Sequence, residues 1–192
     1  MFSALHNPIG FNLYDSFNKA YSSDDRNKFI CGQRILVEEK TVSEGDGVSL
    51  TKVLSEYMWV EAGDDFDAGM PAIITPGTFQ SEAILMPLYP ATGGAIIGWP
   101  TVSLEAGQFT WVKLSGKIKT QADETVESGK FVKINLDSEV ITLGNESGDV
   151  HDGETIGIAR TDEAAGIATI YVLNGKTVEI KLGEPEEGEE EA

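Results

Sequence analysis

The chain of 192 residues is long enough for one large domain or two small ones, and it can bury a sizeable core without metals or disulfides. Its 32 acidic and 14 basic residues give a net charge of −18, which repels nucleic acid and anionic membranes, so we expect neither as a partner. The single cysteine, Cys31, permits no intramolecular disulfide, and with two histidines it cannot complete a zinc site of four nitrogen and sulfur ligands.

The sequence has no apolar run of the length that a membrane span requires. Its N-terminus also lacks the charged and apolar regions of a signal peptide. We therefore expect the protein to be made in a cytoplasm and not to be exported by the usual route.

The first segment, residues 1–28, is too apolar for a free tail and too irregular for a core strand. It predicts an N-terminal arm that packs either on the rest of the domain or on another subunit, and both alternatives stay open. The candidate partner-binding residues are five apolar side chains of this arm: Phe2, Leu5, Phe11, Tyr14 and Phe17.

Residues 29–182 have the pattern of a β domain. Short strand-like runs recur along this segment, separated by Gly, Pro, Asn and Asp, which is typical of a compact β-barrel or β-sandwich. Val132, Ile134 and Leu136 alternate with more polar neighbours, which indicates one core face and one solvent face. Residues 50–57 fit either a short helix or a strand. The predicted strands are 34–38, 57–61, 72–75, 82–85, 95–98, 109–114, 130–136, 140–143, 155–159, 168–173 and 177–182.

The last two of these runs flank Asn174–Gly175, which supplies the two positive φ angles of a type I′ turn and predicts a hairpin. A spacing of glycines further suggests an internal duplication. Three glycines lie nine residues apart in each of two copies, and the copies are 59 residues apart: Gly98, Gly107 and Gly116, then Gly157, Gly166 and Gly175. The possible repeat units are about 57–116 and 109–175, and chance convergence on hairpin chemistry is the alternative.

Enzyme motifs are not found, so we expect no catalytic residues, no cofactor and no bound metal. Three features keep other classes open. His151 lies between two aspartates and suits a metal ligand or a base, although a solvated loop histidine is the ordinary explanation. Residues 64–69 suggest a calcium loop but lack a carboxylate that the EF-hand pattern requires. Trp59, Trp99 and Trp111 suit a carbohydrate-binding face, whereas core or interface packing is the ordinary role of such rings.

The C-terminal segment, residues 183–192, has six glutamates among its last nine residues. Its self-repulsion and lack of apolar side chains predict an acidic disordered tail that solvates the protein. An alternative is that the tail contacts a basic surface or delays binding to a partner.

Part of the β domain resembles phage head-decoration (capsid cement) proteins. The resemblance covers about residues 105–180 and is carried by Gly-Glu-Thr-Ile-Gly-Ile-Ala at 153–159, Asp-Glu-Ala-Ala-Gly at 162–166 and Ala-Thr-Ile-Tyr-Val at 168–172. Those proteins have a similar strand, turn and Val/Ile-rich strand in their closing module. Ser-Gly-Lys-Phe-Val at 128–132 is similar to the strand that precedes this module.

The resemblance implies a structural virion protein that binds the outside of a phage head and stabilises it. The implied partner is the major capsid protein, the implied oligomer is a homotrimer, and the implied location is the capsid surface of the virion. Many weak contacts repeated over a lattice would give high avidity without a deep pocket. The alternatives are a tail or fibre component, a carbohydrate-binding β module that uses the three tryptophans, and a small hydrolase or metal enzyme around His151.

Overall fold

The computed structural model describes ten segments of the chain: residues 2–4, 17, 19–25, 28–43, 49–76, 83–87, 94–135, 140–143, 155–172 and 178–179. Several predicted features lie outside these residues, namely the turn at Asn174–Gly175, His151 and the acidic tail at 183–192. In the described part, the chain is mainly β, as predicted, and its one helical element is a 3₁₀ turn at Ser23–Asp25. No described helix has the length and apolar character needed to cross a membrane.

Thirteen strands are described, and they form two sheets. In chain order they are β1 Phe2–Ala4, β2 Arg34–Ser43, β3 Ser49–Ala62, β4 Ala72–Pro76, β5 Ala83–Met86, β6 Gly94–Gly98, β7 Phe109–Lys113, β8 Gly116–Gln121, β9 Phe131–Asn135, β10 Val140–Leu143, β11 Gly157–Ala159, β12 Ile167–Val172 and β13 Val178–Glu179. The larger sheet has the order β1-β2-β3-β5-β4-β6-β13, with β7 paired to β3. The smaller sheet has the order β10-β9-β11-β12-β8.

The long strand β3 organises the larger sheet. It pairs antiparallel with β2 from Ser49 to Met58, so residues 50–57 are strand and not helix. Its C-terminal half pairs with β7, and its last two residues pair in parallel with β5. Strands β2 and β5 pair one after the other along the same edge of β3, and β7 pairs along the opposite edge. This arrangement bends the sheet around its core.

The two sheets pack against each other through an apolar core, as in a β-sandwich. Ile73 and Ile97 of the larger sheet lie in one buried cluster with Ile118 and Ile170 of the smaller sheet. The predicted alternation is confirmed for the described part of β9, because Val132 is fully buried in this cluster and Ile134 packs against it, whereas Leu136 lies outside the described residues. The chain passes from one sheet to the other between β7 and β8, and Gly116, the first residue of β8, adopts a positive φ of 94°.

The predicted hairpin between the last two strands is wrong. Strand β12 pairs with β11 on one side and with β8 on the other, so neither of its edges is open to β13. Strand β13 pairs instead with β6 in the larger sheet. The Asn-Gly signal is local, whereas strand pairing depends on which edges the rest of the chain has already occupied.

The structure contains two modules with the same turn geometry, while the repeat units suggested by the glycine spacing stay a prediction. The first module consists of residues 57–69 and 103–113, and the second of residues 155–166 and 125–135. Each module pairs two antiparallel strands that begin or end at a glycine turn. The four turn glycines, Gly69, Gly107, Gly129 and Gly166, all have φ between 78° and 83°, a region that residues with a Cβ rarely adopt.

Backbone hydrogen bonds define the equivalence of the two modules. In the first, the Gly107 amide donates to the Ala62 carbonyl at 2.7 Å, and the Ala106 amide donates to Asp65 Oδ1 at 2.9 Å. In the second, the Gly129 amide donates to the Ala159 carbonyl, and the Ser128 amide donates to Asp162 Oδ1, both at 2.8 Å. The hydrogen bonds therefore relate Gly107 to Gly129, and by the same pattern Gly69 to Gly166, with the two halves in opposite chain order.

Candidate functional site

An aromatic cluster fills the core around Phe17 and Tyr21. Phe17 is 4% exposed, its ring stacks on Tyr57 with a centroid separation of 4.7 Å, and it meets Trp111 at 6.4 Å. Tyr21 exchanges two backbone hydrogen bonds with Phe109, of 2.8 and 2.9 Å. Residues around 17–21 are therefore held against β7 of their own chain.

The five candidate partner-binding residues have different outcomes. Phe17 packs inside its own chain, which corresponds to the first of the two alternatives for the arm. The backbone of Phe2 belongs to β1 and pairs with Glu39 of β2. Leu5, Phe11 and Tyr14 lie outside the described residues, so their role in a subunit contact stays a prediction.

The three tryptophans are core residues. Trp59, Trp99 and Trp111 are 0%, 1% and 1% exposed, and the indole N–H of Trp99 donates to Thr120 Oγ1 at 3.0 Å. A carbohydrate-binding face needs exposed rings on which a sugar can stack. The burial of these rings contradicts a sugar-binding face built from them.

The acidic segment 64–69 is a turn of the first module. Phe66 is buried and exchanges backbone hydrogen bonds with Leu104, whereas Asp64, Asp65 and Asp67 are exposed. Asp65 accepts from the Ala106 amide, which gives it a structural role in joining the two halves of the module. Within the described part of the chain, no group of three His, Cys, Asp or Glu side chains is arranged to hold a metal ion.

A buried ion pair joins two strands of the larger sheet, β2 and β7, which lie on either side of β3. Lys113 Nζ lies 2.7 and 2.8 Å from the two carboxylate oxygens of Glu39, and it also donates to the Lys117 carbonyl at 2.6 Å. The two side chains are 7% and 16% exposed. Burial lowers the pKa of Lys113, because a charged ammonium loses its hydration, while Glu39 acts in the opposite direction. The pair links β2, β7 and the start of β8.

Tyr57 completes this buried group. Its hydroxyl donates to Glu39 Oε1 at 2.5 Å, and Lys113 Nζ lies 5.5 Å from its ring centroid. Burial first, and the negative charge of Glu39 second, raise the pKa of Tyr57 far above its ordinary value. The hydroxyl therefore keeps its proton at all physiological pH values, and the three side chains form a polar joint between strands.

The outer face of the smaller sheet is the most distinctive exposed surface in the described residues. Strand register places Lys117 beside Tyr171, Tyr171 beside Ile158, and Ile158 beside Phe131, in one row across four strands. Ile167, four residues before Tyr171 in β12 and on the same face, is 39% exposed, and Tyr171 is 38% exposed. Large apolar side chains with this exposure are typical of contact surfaces when they cluster.

The same face carries positive charge. Lys119 lies opposite Thr169, whose carbonyl accepts from the Arg160 amide at 2.7 Å, and Lys133 lies opposite Thr142. In the described part of these five strands, no aspartate or glutamate occupies an outward position. We call this surface the basic face; its charged members are Lys117, Lys119, Lys133 and Arg160, and its apolar members are Phe131, Ile158, Ile167 and Tyr171.

The basic face was not predicted from the sequence, because a net charge of −18 gives no sign of a local group of cations. Strand β8 was not predicted at all, since Ile118 is the sole large apolar residue of Gly116–Gln121. The signal that could have found it is the period-two alternation of Lys117 and Lys119 with buried residues.

No known protein family matches the chain, and no curated protein matches it either. Among solved structures, the chain is similar to the head fiber gp8.5 N base of bacteriophage phi29. The two are 13% identical, and the similarity covers 65% of this chain and 97% of the phage chain with a TM-score of 0.44. A similarity of that extent is too low to carry the role of the phage protein over to this chain.

Proposed function

We propose that this is a structural virion protein that binds the outer surface of a phage capsid and stabilises it. The observation that carries the proposal is the place of the residues that resemble head-decoration proteins. Those of them that are described fall mainly on β11, on β12 and on the turn at Ala165–Gly166 that joins them. Both strands lie in the interior of the smaller sheet, and their outward residues Ile158, Ile167 and Tyr171 are the apolar part of the basic face.

The basic face suits a lattice partner. It exposes both cations and apolar side chains, and such surfaces give modest affinity per contact. Repetition over a capsid converts modest contacts into high avidity. We infer that the basic face meets the major capsid protein, and that residues of the arm outside the described part contribute further contact between subunits, which we expect to form a homotrimer.

We infer a structural role and not a catalytic one. The polar groups with perturbed pKa values, Lys113 and Tyr57, are buried and bonded to Glu39 between strands, which supports a role in holding the sheet. Perturbed groups of an active site would instead face a space that admits a substrate.

The test is a binding experiment on heads of the encoding phage that were assembled without this protein. Purified chain is added to the heads, which are then sedimented, and the bound copies are counted by quantitative immunoblot. We expect saturable binding at a fixed number of copies per head, and immunogold label on heads in electron micrographs. Label confined to tails or fibres would support the alternative of a tail or fibre component, and failure of the chain to sediment with any particle would refute a virion role.

A matched pair of variants tests the contact surface. Lys117→Glu with Lys119→Glu reverses two charges of the basic face, and we expect it to weaken binding by about tenfold or more. Lys19→Glu with Lys28→Glu makes the same change of charge at two exposed lysines beside Tyr21, outside the basic face. Equal loss in both double variants would mean that net charge, and not the basic face, determines binding.

A further inference from the structure

The basic face has a candidate occupant within the chain itself. We propose that the glutamate-rich C-terminal segment, residues 184–191, docks on the basic face of the same molecule and covers it until a partner displaces the segment. The proposal concerns the free protein, and it stands or falls independently of whether the partner is a capsid.

The charge of the basic face selects an anionic occupant. Lys117, Lys119 and Arg160 share one side of a sheet on which no described strand position carries an outward carboxylate. A second copy packed face to face would bring these cations against each other, and like charges opposed across an interface are costly. The apolar residues between the cations, such as Tyr171, add area to the contact without changing its sign.

The rest of the molecule disfavours most separate anionic partners. A net charge of −18 repels a nucleic acid or an acidic protein before it reaches one local patch of cations. A tethered segment offsets this repulsion, because the tether raises its effective concentration at the patch to the order of millimolar. Six glutamates among residues 184–192 provide anions for Lys117, Lys119 and Arg160 within one short stretch of chain.

The length of the chain beyond the last described residue permits the contact. Glu179 pairs with Gly94 at the edge of the larger sheet. The twelve residues from 179 to 191 can span at most about 40 Å. A folded chain of this length has a radius of gyration of about 16 Å, so the far end of a fully extended segment reaches across roughly one molecular diameter.

The test measures how fast individual lysines of the full chain are acetylated, by mass spectrometry at low ionic strength. Lys117 and Lys119 report on the basic face, and the exposed Lys19 and Lys28 serve as internal controls. We expect Lys117 and Lys119 to react about fivefold more slowly in the full chain than in a chain ending at Gly183, because several weak ion pairs act together on a tether. The controls should react equally in both, and 0.5 M salt should abolish the difference, because salt screens exposed ion pairs.

A second variant separates charge from chain length. It keeps all 192 residues and replaces the six acidic side chains: Glu184→Gln, Glu186→Gln, Glu187→Gln, Glu189→Gln, Glu190→Gln and Glu191→Gln. We expect it to behave like the truncated chain. Equal rates at Lys117 in all three proteins would overturn the proposal. Slowing of all four lysines together would also overturn it, since that result reports general electrostatics, and so would protection that disappears on hundredfold dilution, since the occupant would then be the tail of a second copy.

Discussion

Replacing Lys113 with methionine is the sharpest test of the buried polar joint. The change keeps an unbranched side chain of similar length but removes the charge and the three hydrogen bonds of Nζ. Glu39 then lacks the Lys113 ammonium at a site where its side chain is 16% exposed, while the Tyr57 hydroxyl still donates to it. An unpaired carboxylate in such a place is costly because it has lost most of its hydration.

Breaking a buried ion pair by removing one partner costs about 3 kcal/mol or more. For a protein of this size each kcal/mol lowers Tm by about 2–4 °C, so we expect Lys113→Met to lower Tm by about 6–12 °C. Urea unfolding followed by tryptophan fluorescence measures the free energy directly, because Trp59, Trp99 and Trp111 leave the core when the protein unfolds.

Lys119→Met is the matched control, since Lys119 is an exposed residue of the neighbouring strand β8 and should change stability by less than about 0.5 kcal/mol. A second check combines Lys113→Met with Glu39→Gln. The double variant should be more stable than Lys113→Met alone, because no charge is left buried. If Lys113→Met costs no more than Lys119→Met, the reasoning from a buried ion pair is refuted.

Three other substitutions give distinct results. In Tyr57→Phe, the free energy of unfolding should fall less steeply above pH 10 than in the unchanged protein. Urea unfolding between pH 9 and 11 measures this difference. The raised pKa keeps the folded hydroxyl protonated while the unfolded one ionises around pH 10, so Tyr57 makes the free energy of unfolding fall by about 1.4 kcal/mol in total between pH 9 and 11; an unchanged slope would contradict this. Ala165→Asn should raise stability by about 0.5–1 kcal/mol in thermal melts, because Ala165 has a φ of 54° and asparagine tolerates that region better; a lower Tm would contradict it. Phe17→Ala should cost about 3–5 kcal/mol at every protein concentration; a cost that grows on dilution would place Phe17 in a subunit contact instead.

The sequence was most informative where the signal is local. Alternating apolar residues and turn residues located most strands, and the glycines at 107 and 166 were correctly placed at turns, since both have positive φ. Strand β8 was not predicted, because Thr120, one of its buried residues, is polar. That threonine is buried because it accepts a hydrogen bond from the Trp99 indole, a partner that no local pattern reveals.

Pairing between distant segments could not be predicted in the same way. Glu39 and Lys113 are joined because β2 and β7 lie on either side of β3, which depends on the order of strands in the sheet. The equivalence of the two modules was also hidden, because their halves occur in opposite chain order and share few residue types. The basic face required both the register of β8, β12 and β11 and the knowledge of which side is buried.

The most direct test of the central proposal is an electron cryomicroscopy reconstruction of heads saturated with the purified chain. We predict density for the chain on the outer surface of the capsid, with the basic face, including Lys117 and Tyr171, turned towards the capsid protein. Heads that show the same surface with and without added chain would contradict capsid binding, and density in which the smaller sheet points away from the capsid would contradict the basic face as the contact.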